Sequence, residues 1–511
     1  MRPLLEYLPA LLSGILLAVS FPPFGHPAFG WIALTPLLAV LAREQPAVGS
    51  SRAFGLGLVA GLVYFGGTVY WTGATVRTFG GLSLPVSILV AALLIAYLAL
   101  FPALFALTLR WFIRRLGRRA LWLAPAVWVA SEVGRTYFWS GFPWLLLGYS
   151  QTTVLPVAQT ASLVGVFGLS GLVALVATGL AALALASGAG RPTRQVWAGA
   201  WAPIVAVVAL SVWGSWRIDA AEWTTSGRPL AVALVQGNVP QDEKWDPRRA
   251  GDILDRYLEM TRAAAAGGAH LVIWPESSTP FYFENDPVEG ERIRALVRQR
   301  GVRLLLGSDQ IEAGRAPRYY NAAFMLEPDG STAAVYRKMH LVPFGEYVPL
   351  ESLLFFVGPL VDRVGAFTPG ETMVPLPVDG ATISTAICYE IVYPGLARRA
   401  VREGSTLLTT ITNDAWYGDS AAPHQHFLQA SMRAIEQGRY LARAANTGIS
   451  GLVDPYGRVV ARSGLFETTI VTGVVRLLSD LTVYGRIGDL FAYVCVALTL
   501  SACVAAWRRR T

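Results

Sequence analysis

The chain is short of charge. Asp, Glu, Lys and Arg make up 15% of its 511 residues, against about 25% in an ordinary soluble protein. The deficit lies before residue 220 and after 485, while the stretch between carries a normal share. A wholly soluble protein is thereby excluded, and a membrane protein carrying one globular region is implied. Cysteine is scarcer still. There are three, and two of them, Cys495 and Cys503, lie in the last apolar run. Cys388 therefore stands alone in the globular region, which excludes a disulfide framework there. Also missing are an internal repeat, a low-complexity linker and any third metal ligand beside the pair His424 and His426. That last absence favours packing or polar contacts at the two histidines over a metal site. The net charge of +8 does not indicate nucleic acid, because the arginines flank apolar segments, where they set orientation in a membrane.

What the chain does have is apolar runs near the roughly 20 residues that a membrane-crossing helix needs. Eight candidates fall at 4–21, 28–42, 54–75, 86–109, 119–134, 156–187, 196–216 and 487–507. The second and fifth are short, and the sixth is long enough to require tilt or a lead-in segment. Ser20-Phe21-Pro22-Pro23 after the first run offers no small-residue cleavage site, so that run reads as a retained signal-anchor. With a cytoplasmic N-terminus, Arg43, Arg52, Arg110, Arg114, Arg115, Arg118, Arg119, Arg191, Arg194 and the tail Arg508-Arg509-Arg510 all fall inside. The opposite short connections hold only Arg77 and Arg135. This asymmetry places the globular region on the outer face and both termini in the cytoplasm. The expected division is a seven-helix membrane region over 1–220, a globular domain over 221–485, and a closing helix with a basic tail over 486–511.

One outer connection is unusual, running from Ser131-Glu132 and Arg135 through Phe138-Trp139-Ser140-Gly141-Phe142-Pro143-Trp144 to Tyr149. An aromatic belt at the interface accounts for the Trp and Tyr residues. It accounts less well for Glu132 and Arg135, since ionised groups near membrane depth usually pair or serve a site, here a lipid or substrate contact.

In the globular region the pattern changes to short apolar runs alternating with charged, helically spaced segments. Strands are expected at 230–236, 270–274, 303–307, 321–327, 382–388, 407–412 and 448–454, with helices at 247–266, 289–299 and 426–445. Alternation of this kind points to an α/β layered fold. Three polar groups sit at the ends of apolar strands: Glu276 after Val272-Ile273-Trp274-Pro275, Lys338 after Tyr336-Arg337, and Cys388 after Thr385-Ala386-Ile387. Strand ends and their loops are where α/β folds place reactive groups. A thiol of ordinary pKa near 8.5 must lose its proton to attack a carbonyl, which a carboxylate can accept and an ammonium favours. The resulting oxyanion needs donors, which a lysine and backbone N–H groups supply.

This Glu, Lys and Cys constellation resembles the nitrilase superfamily. The resemblance implies an αββα sandwich, Glu276 as general base, Lys338 as oxyanion and geometry support, and Cys388 as nucleophile, with Glu346 holding Lys338 or the base. Further runs are similar to the apolipoprotein N-acyltransferases in particular: Trp274-Pro275-Glu276, Lys338-Met339-His340-Leu341-Val342-Pro343-Phe344-Gly345-Glu346-Tyr347-Val348-Pro349, Cys388-Tyr389-Glu390 and Asn413-Asp414-Ala415-Trp416-Tyr417. So are Gln236-Gly237-Asn238-Val239-Pro240-Gln241, Lys244-Trp245 and the Gly141-Phe142-Pro143-Trp144 loop. The layout of seven spans, a nitrilase-like domain and one closing span matches that family.

The resemblance implies transfer of a fatty acyl chain from the sn-1 ester of a phospholipid, with phosphatidylethanolamine preferred, through a Cys388 thioester. The acceptor it implies is the α-amino group of the diacylglyceryl-cysteine that begins an apolipoprotein. No metal or diffusible cofactor is expected, since the donor is itself a membrane lipid. The bacterial inner membrane is the expected location, and one complete triad per chain fits a monomer.

Several residues keep two readings. Glu390 orders the site or caps the next helix, and Tyr389 follows the nucleophile. Trp245 lines a lipid groove or is a hydrophobic anchor on the domain surface. Asn413 and Trp416 follow a strand and are expected to shape the pocket. The apolar segment 353–357 is too short to span, and either packs in the core or dips into the interface. Two rival functions remain. A membrane-tethered amidase would use the same triad and let water resolve the thioester, but an anchor alone does not need eight spans. A transport or receptor protein would need charged or broken helices along a pathway, and these spans are nearly free of charge.

Overall fold

The computed structural model describes residues 5–43, 48–188, 193–315, 317–343, 345–347 and 367–509. Segment 353–357 lies outside the described residues. Helices occupy all eight expected apolar stretches, but they differ in length. Among the described residues, four are long and apolar enough to cross a membrane: Leu84–Leu116, Ala161–Ser187, Arg194–Thr225 and Leu490–Arg508. The pair Ser50–Thr68 and Trp71–Gly80, bent by 53°, makes a fifth when counted as one span. The others are cut short by proline. Helix Leu8–Val19 stops before Pro22-Pro23, and the 28–42 stretch breaks at Leu34 into Ala28–Ala33 and Thr35–Leu41, the second with Pro36 in its first turn. Pro125 opens helix Ala124–Tyr137 after a 3₁₀ turn, Arg118–Leu123. The long sixth stretch has a lead-in turn, Leu155–Ala158, and a break at Gly165, whose φ is +69°. Ser50–Thr68 packs tightly against Leu84–Leu116. A Cβ on Gly57 would sit 2.3 Å from the Pro102 carbonyl oxygen, and one on Gly61 2.8 Å from Ala99 Cα. The Gly-x₃-Gly spacing thus lets two backbones meet without the hydrophobic drive available in water.

The globular region is a sandwich of two six-stranded sheets. The first holds β1 (Arg228–Gln236), β2 (Leu271–Ile273), β3 (Arg303–Glu312), β4 (Arg318–Leu326), β5 (Thr332–Arg337) and β12 (Thr469–Leu477), in the order β12-β1-β2-β3-β4-β5. The second holds β6 (Leu376–Val378), β7 (Ala381–Ile387), β8 (Leu408–Thr412), β9 (Leu441–Ala445), β10 (Gly451–Val453) and β11 (Val459–Arg462), in the order β11-β10-β9-β8-β7-β6. In each sheet a parallel trio, β1-β2-β3 or β7-β8-β9, is flanked by antiparallel strands. Along β1 the consecutive residues Val232, Ala233, Leu234 and Val235 are all buried. Apolar side chains on both faces are what parallel strands covered on both sides require. Leu230, Leu234, Ile273, Leu305, Ile383, Ile387 and Ile411 meet in the core between the sheets. Helices Ala250–Ala266 and Pro287–Arg300 cover the outer face of the first sheet.

One expected element needs correction. The stretch 426–445 is not a single helix: helix Ala422–Gln437 ends at Gly438, whose φ of +61° stops it, and Leu441–Ala445 becomes β9. The run Leu-Ala-Arg-Ala-Ala favours a helix locally. Parallel pairing with β8 on one side and antiparallel pairing with β10 on the other overrides that preference.

Helix Ala422–Gln437 lies between the second sheet and the membrane helices, with 14 of its 16 residues buried. It shares one hydrophobic cluster with the membrane part. Its membrane-facing stripe is polar and partnered at four positions. Gln425 Oε1 accepts from the indoles of Trp71 and Trp144, and its Nε2 donates to the carbonyls of Pro22 and Thr68. Gln429 accepts from Leu145 N–H, Arg433 donates to the Tyr149 hydroxyl, and Glu436 accepts from Val166 N–H. The spacing of 425, 429, 433 and 436 keeps all four on one face.

Gly307 on β3 is where the first sheet closely approaches the Glu276 turn. A Cβ there would lie 2.4 Å from the Pro275 carbonyl oxygen and 2.7 Å from Glu276 Cα. Gly307→Ala is expected to destabilise the protein by about 1–3 kcal/mol, as overpacking does, and to lower activity by displacing Glu276. Thermal unfolding in detergent, followed by tryptophan fluorescence, checks the first effect, and an activity assay at a temperature where the variant is folded checks the second.

Candidate active site

β7 is largely buried and delivers Ile387 in extended conformation. The chain then reverses at Cys388, whose φ of +52° is rare for a residue with a side chain, and enters a 3₁₀ turn, Cys388–Val392. Such a conformation costs about 1–3 kcal/mol and persists only where its surroundings over-determine it. Glu390 supplies one restraint. Its Oε2 accepts the Ile387 N–H at 2.7 Å, and its Oε1 accepts the N–H groups of Met339 at 2.7 Å and His340 at 3.0 Å. The Tyr336 hydroxyl donates to the same carboxylate. Glu390 therefore ties the Cys388 turn to the segment after β5 that carries Lys338. Both of its sequence readings find bonds here: the one to Ile387 N–H caps the 3₁₀ turn, and those to Met339 and His340 tie the turn to the Lys338 segment.

Glu276 follows β2 and Lys338 follows β5, on the first sheet, and both face the Cys388 turn on the second. Lys338 Nζ lies 2.8 Å from Glu346 Oε1 and 3.3 Å from Glu276 Oε1, with all three residues buried. Asn321, from the middle of β4, donates to both carboxylates, at 2.7 Å to Glu276 and 3.0 Å to Glu346. The second oxygens are also held, Glu276 Oε2 by Asn413 N–H at 2.8 Å and Glu346 Oε2 by Val342 N–H at 2.8 Å. Two buried carboxylates beside one ammonium would be costly without these extra donors.

The charges set the protonation states. Burial alone would raise the Glu276 carboxyl, but Lys338, Asn321, Lys244 and the Asn413 N–H together hold it below the usual carboxylate range. Burial disfavours the Lys338 ammonium, yet Glu346 and then Glu276 hold it well above the ordinary lysine value. Burial, and then the Glu276 charge, push the Cys388 thiol well up, against the pull of Lys338. At rest the site holds an ionised Glu276, an ammonium at Lys338 and a protonated thiol.

The remaining candidates divide. Asn413 belongs to the site by its backbone, and its side chain bridges Gln241 and Asn446. Trp416 meets Phe79 of the membrane helix Trp71–Gly80 edge-on at 4.9 Å. Trp245 is exposed beside the buried Lys244. Tyr389 is buried and stacks on Trp144 at 6.3 Å. Trp144 is only 1% exposed, so it is no belt residue. Glu132 and Arg135 are likewise buried and hold its loop: Glu132 accepts from Trp128 and Leu147 N–H, and Arg135 donates to the carbonyls of Phe142 and Trp144. The loop in turn offers the carbonyls of Ser140 and Gly141 to the Tyr393 hydroxyl. The two histidines part, His424 being exposed and His426 buried with polar partners.

Asn321 and Asp309 are site residues that the motifs do not single out, and Lys244, though within the Lys244-Trp245 motif, joins them beside Glu276. Asn321 does leave a signal, an amide at the head of the apolar run Ala322-Ala323-Phe324-Met325, since a polar residue in a buried strand needs partners. Asp309 has only its place on β3. It accepts from Ser277 at 2.7 Å, and burial raises it to about 6 despite Lys244.

Two consequences can be measured. Glu390→Gln places an NH₂ against backbone N–H donors and is expected to cost about 1–3 kcal/mol, the loss from an unsatisfied buried group, read as a lowered Tm. Asp309 has a folded pKa of about 6, above its unfolded value of about 3.9. The native state therefore binds more protons between those values, and the Asp309 contribution to stability rises as pH falls through about 6 to 4. The Tm of the wild type minus that of Asp309→Asn is expected to increase as pH drops from about 7 to about 5, whereas a constant difference would contradict the raised pKa.

The comparisons with known proteins bear on the whole chain. Residues 231–479 match the carbon-nitrogen hydrolase family, and residues 13–179 match the apolipoprotein N-acyltransferase N-terminal domain. The apolipoprotein N-acyltransferase of Geobacter metallireducens is 40% identical, over 99% of this chain and 96% of that protein. That of Methylococcus capsulatus is 37% identical, over 98% of this chain and 96% of its own. An amidase of known crystal structure from Nesterenkonia sp. aligns with 53% of this chain and 97% of its own, at 24% identity and a TM-score of 0.39. Matched in both its membrane part and its globular part, the chain belongs to the apolipoprotein N-acyltransferase family.

Proposed function

We propose that the protein N-acylates lipoproteins in two half-reactions through a thioester on Cys388. The observation that carries this is a thiol at a strained turn, acted on by both Glu276 and Lys338, and packed through Tyr389 against a membrane loop. In the first half-reaction the Cys388 sulfur attacks the sn-1 ester carbonyl of a phospholipid, phosphatidylethanolamine by preference. Because the thiol is protonated at rest, its proton passes to the Glu276 carboxylate as the C–S bond forms. The Lys338 ammonium and the N–H of Tyr389 receive the oxyanion. The tetrahedral centre collapses, the glycerol oxygen leaves with the proton from Glu276 as lysophospholipid, and the acyl chain stays on sulfur.

In the second half-reaction the α-amine of a diacylglyceryl-cysteine attacks the thioester. Its pKa near 8 leaves free amine at neutral pH. Glu276 takes a proton from the amine, the C–S bond breaks, and the proton returns to Cys388 as the amide is released. Glu346 keeps Lys338 in place and Glu390 keeps the two sheets in register at the site. Asn413 orients Glu276, while Trp416 and the exposed Trp245 border the path of the lipid chains. An apolar groove of about 510 Å³ between helices Trp71–Gly80 and Leu84–Leu116, with Arg77 and Ser87 among its lining residues, offers room for an acyl chain beside a cation.

The same proposal divides the chain into 1–220, 221–485 and 486–511, with eight membrane crossings, both termini in the cytoplasm and the globular domain outside the bacterial inner membrane. The protein acts as a monomer.

Purified protein given phospholipid with a tagged sn-1 chain, and no acceptor, is expected to gain one acyl mass by intact mass spectrometry. Hydroxylamine should remove it, and diacylated lipopeptide should discharge it. Cys388→Ala is expected to gain nothing, and Glu276→Gln to slow acylation by about 10²–10⁴-fold, the range for a lost general base. Discharge in water as fast as with lipopeptide would instead mark a hydrolase.

A further inference from the structure

His426 lies on helix Ala422–Gln437, beside the stripe that meets the membrane helices, with its ring 5.6 Å from that of Trp144. Its Nε2 is 3.1 Å from the carbonyl oxygen of Cys388. A carbonyl only accepts, so Nε2 carries a proton whatever the charge of the ring. At the other edge Nδ1 is 3.1 Å from Arg443 Nη2 and 3.1 Å from Asp414 Oδ1. Arg443 also donates to Asp414 Oδ2 at 2.7 Å, and the Thr412 hydroxyl donates to Asp414 Oδ1 at 2.9 Å. Burial, and then the Arg443 charge, hold the imidazole below its usual pKa. The neutral ring thus accepts from Arg443 at Nδ1 and donates from Nε2. The side chains of Asp414, His426 and Arg443 are 0% exposed. Such a buried charged array is expensive to desolvate. Arg443 also steadies the Ile449 carbonyl through its Nε; the array meets the Cys388 backbone through His426, while Asp414 and the Thr412 hydroxyl act on the thiol itself.

That carbonyl belongs to the peptide joining Cys388 to Tyr389. A trans peptide is planar, with its C=O and N–H pointing in opposite directions. Holding the Cys388 oxygen therefore fixes where the Tyr389 N–H points. Tyr389 is the second residue of the 3₁₀ turn, and N–H groups at a helix start have no partner within the helix. Glu390 holds the Ala386–Ile387 peptide, one residue upstream, through the Ile387 N–H, and His426 holds the peptide after Cys388. Between them they account for the persistence of a cysteine at φ +52°.

We propose that His426 is a positioning residue for the acyl-transfer reaction: by gripping the Cys388 carbonyl it aims the Tyr389 N–H at the oxyanion that forms on the substrate. Arg443, itself held by Asp414, fixes the tautomer that makes the grip possible. The proposal rests on Cys388 being the nucleophile.

The test uses the full-length protein in nanodiscs containing tagged phospholipid and compares two reactions at Cys388. Thioester formation passes through an oxyanion, whereas alkylation by a small haloacetamide needs the same thiol but no oxyanion donor. His426→Leu is expected to slow thioester formation about 100-fold, the scale of losing one oxyanion donor, and to change alkylation by less than about 3-fold on the same comparison. His426→Gln, which can still present an N–H near the Nε2 position, is expected to recover most of the acylation rate. Acylation by His426→Leu within a few-fold of wild type would overturn the proposal. So would an equal loss in both reactions with no recovery in His426→Gln, which would mean that His426 only supports the pocket. Cys388→Ala runs in parallel: an adduct that persists there would overturn the nucleophile assignment itself, and this proposal with it.

Discussion

Everything in this molecule hangs on one helix that has no free side. Ala422–Gln437 is pressed between the second sheet and the membrane helices, so the polar groups it carries must find partners inside the protein. The sequence puts four such groups, Gln425, Gln429, Arg433 and Glu436, on the membrane side, where they bond to Trp71, Trp144, Leu145, Tyr149 and Val166. Hydrogen bonds of this kind are directional in a way that apolar packing is not. They fix the sandwich in one orientation on the bundle. Next to this stripe the helix presents His426 to the Cys388 carbonyl. A single rigid element thereby sets both the seat of the globular region on the membrane part and the backbone at the proposed nucleophile.

The loop from Phe138 to Leu147 completes that arrangement from the other direction. Arg135 and Glu132 direct their charges at its backbone, which shapes the run from Phe142 to Leu147 and buries Trp144. The loop then covers the Cys388 turn through Tyr389 and Tyr393. Water is displaced from this side of the site by protein that belongs to the membrane part. In the proposed reaction a thioester has to wait for a bulky amine, so exclusion of water matters as much as the nucleophile.

Within the site, two carboxylates share one ammonium. The cost of burying three charges is offset by Asn321, the Asn413 N–H and the Val342 N–H, none of which is itself charged. The three groups already carry one net negative charge, and an ionised thiol would add a second, in keeping with the upward push on Cys388. In the proposed mechanism the proton therefore leaves when the substrate arrives and the oxyanion begins to form, not before.

The family, the two-part layout and the Glu276, Lys338 and Cys388 constellation are legible in the sequence, because each depends on local features: long apolar runs, strand-end residues and contiguous motifs. Among the described residues, seven of the twelve strands, or parts of them, follow from the apolar pattern. β5, β6, β11 and β12 do not, being short or lying at the flanks, and β9 reads locally as helix because its five residues prefer one. Only the tertiary structure decided that Glu390 links the two sheets, that Asn321 joins two carboxylates, that Trp144 is buried and that His426 reaches a backbone carbonyl. Each of these is a contact between residues at least 25 positions apart. Periodicity and motif spacing report on neighbours along the chain, whereas hydrogen-bond partners in a packed interior are chosen by how the elements are brought together.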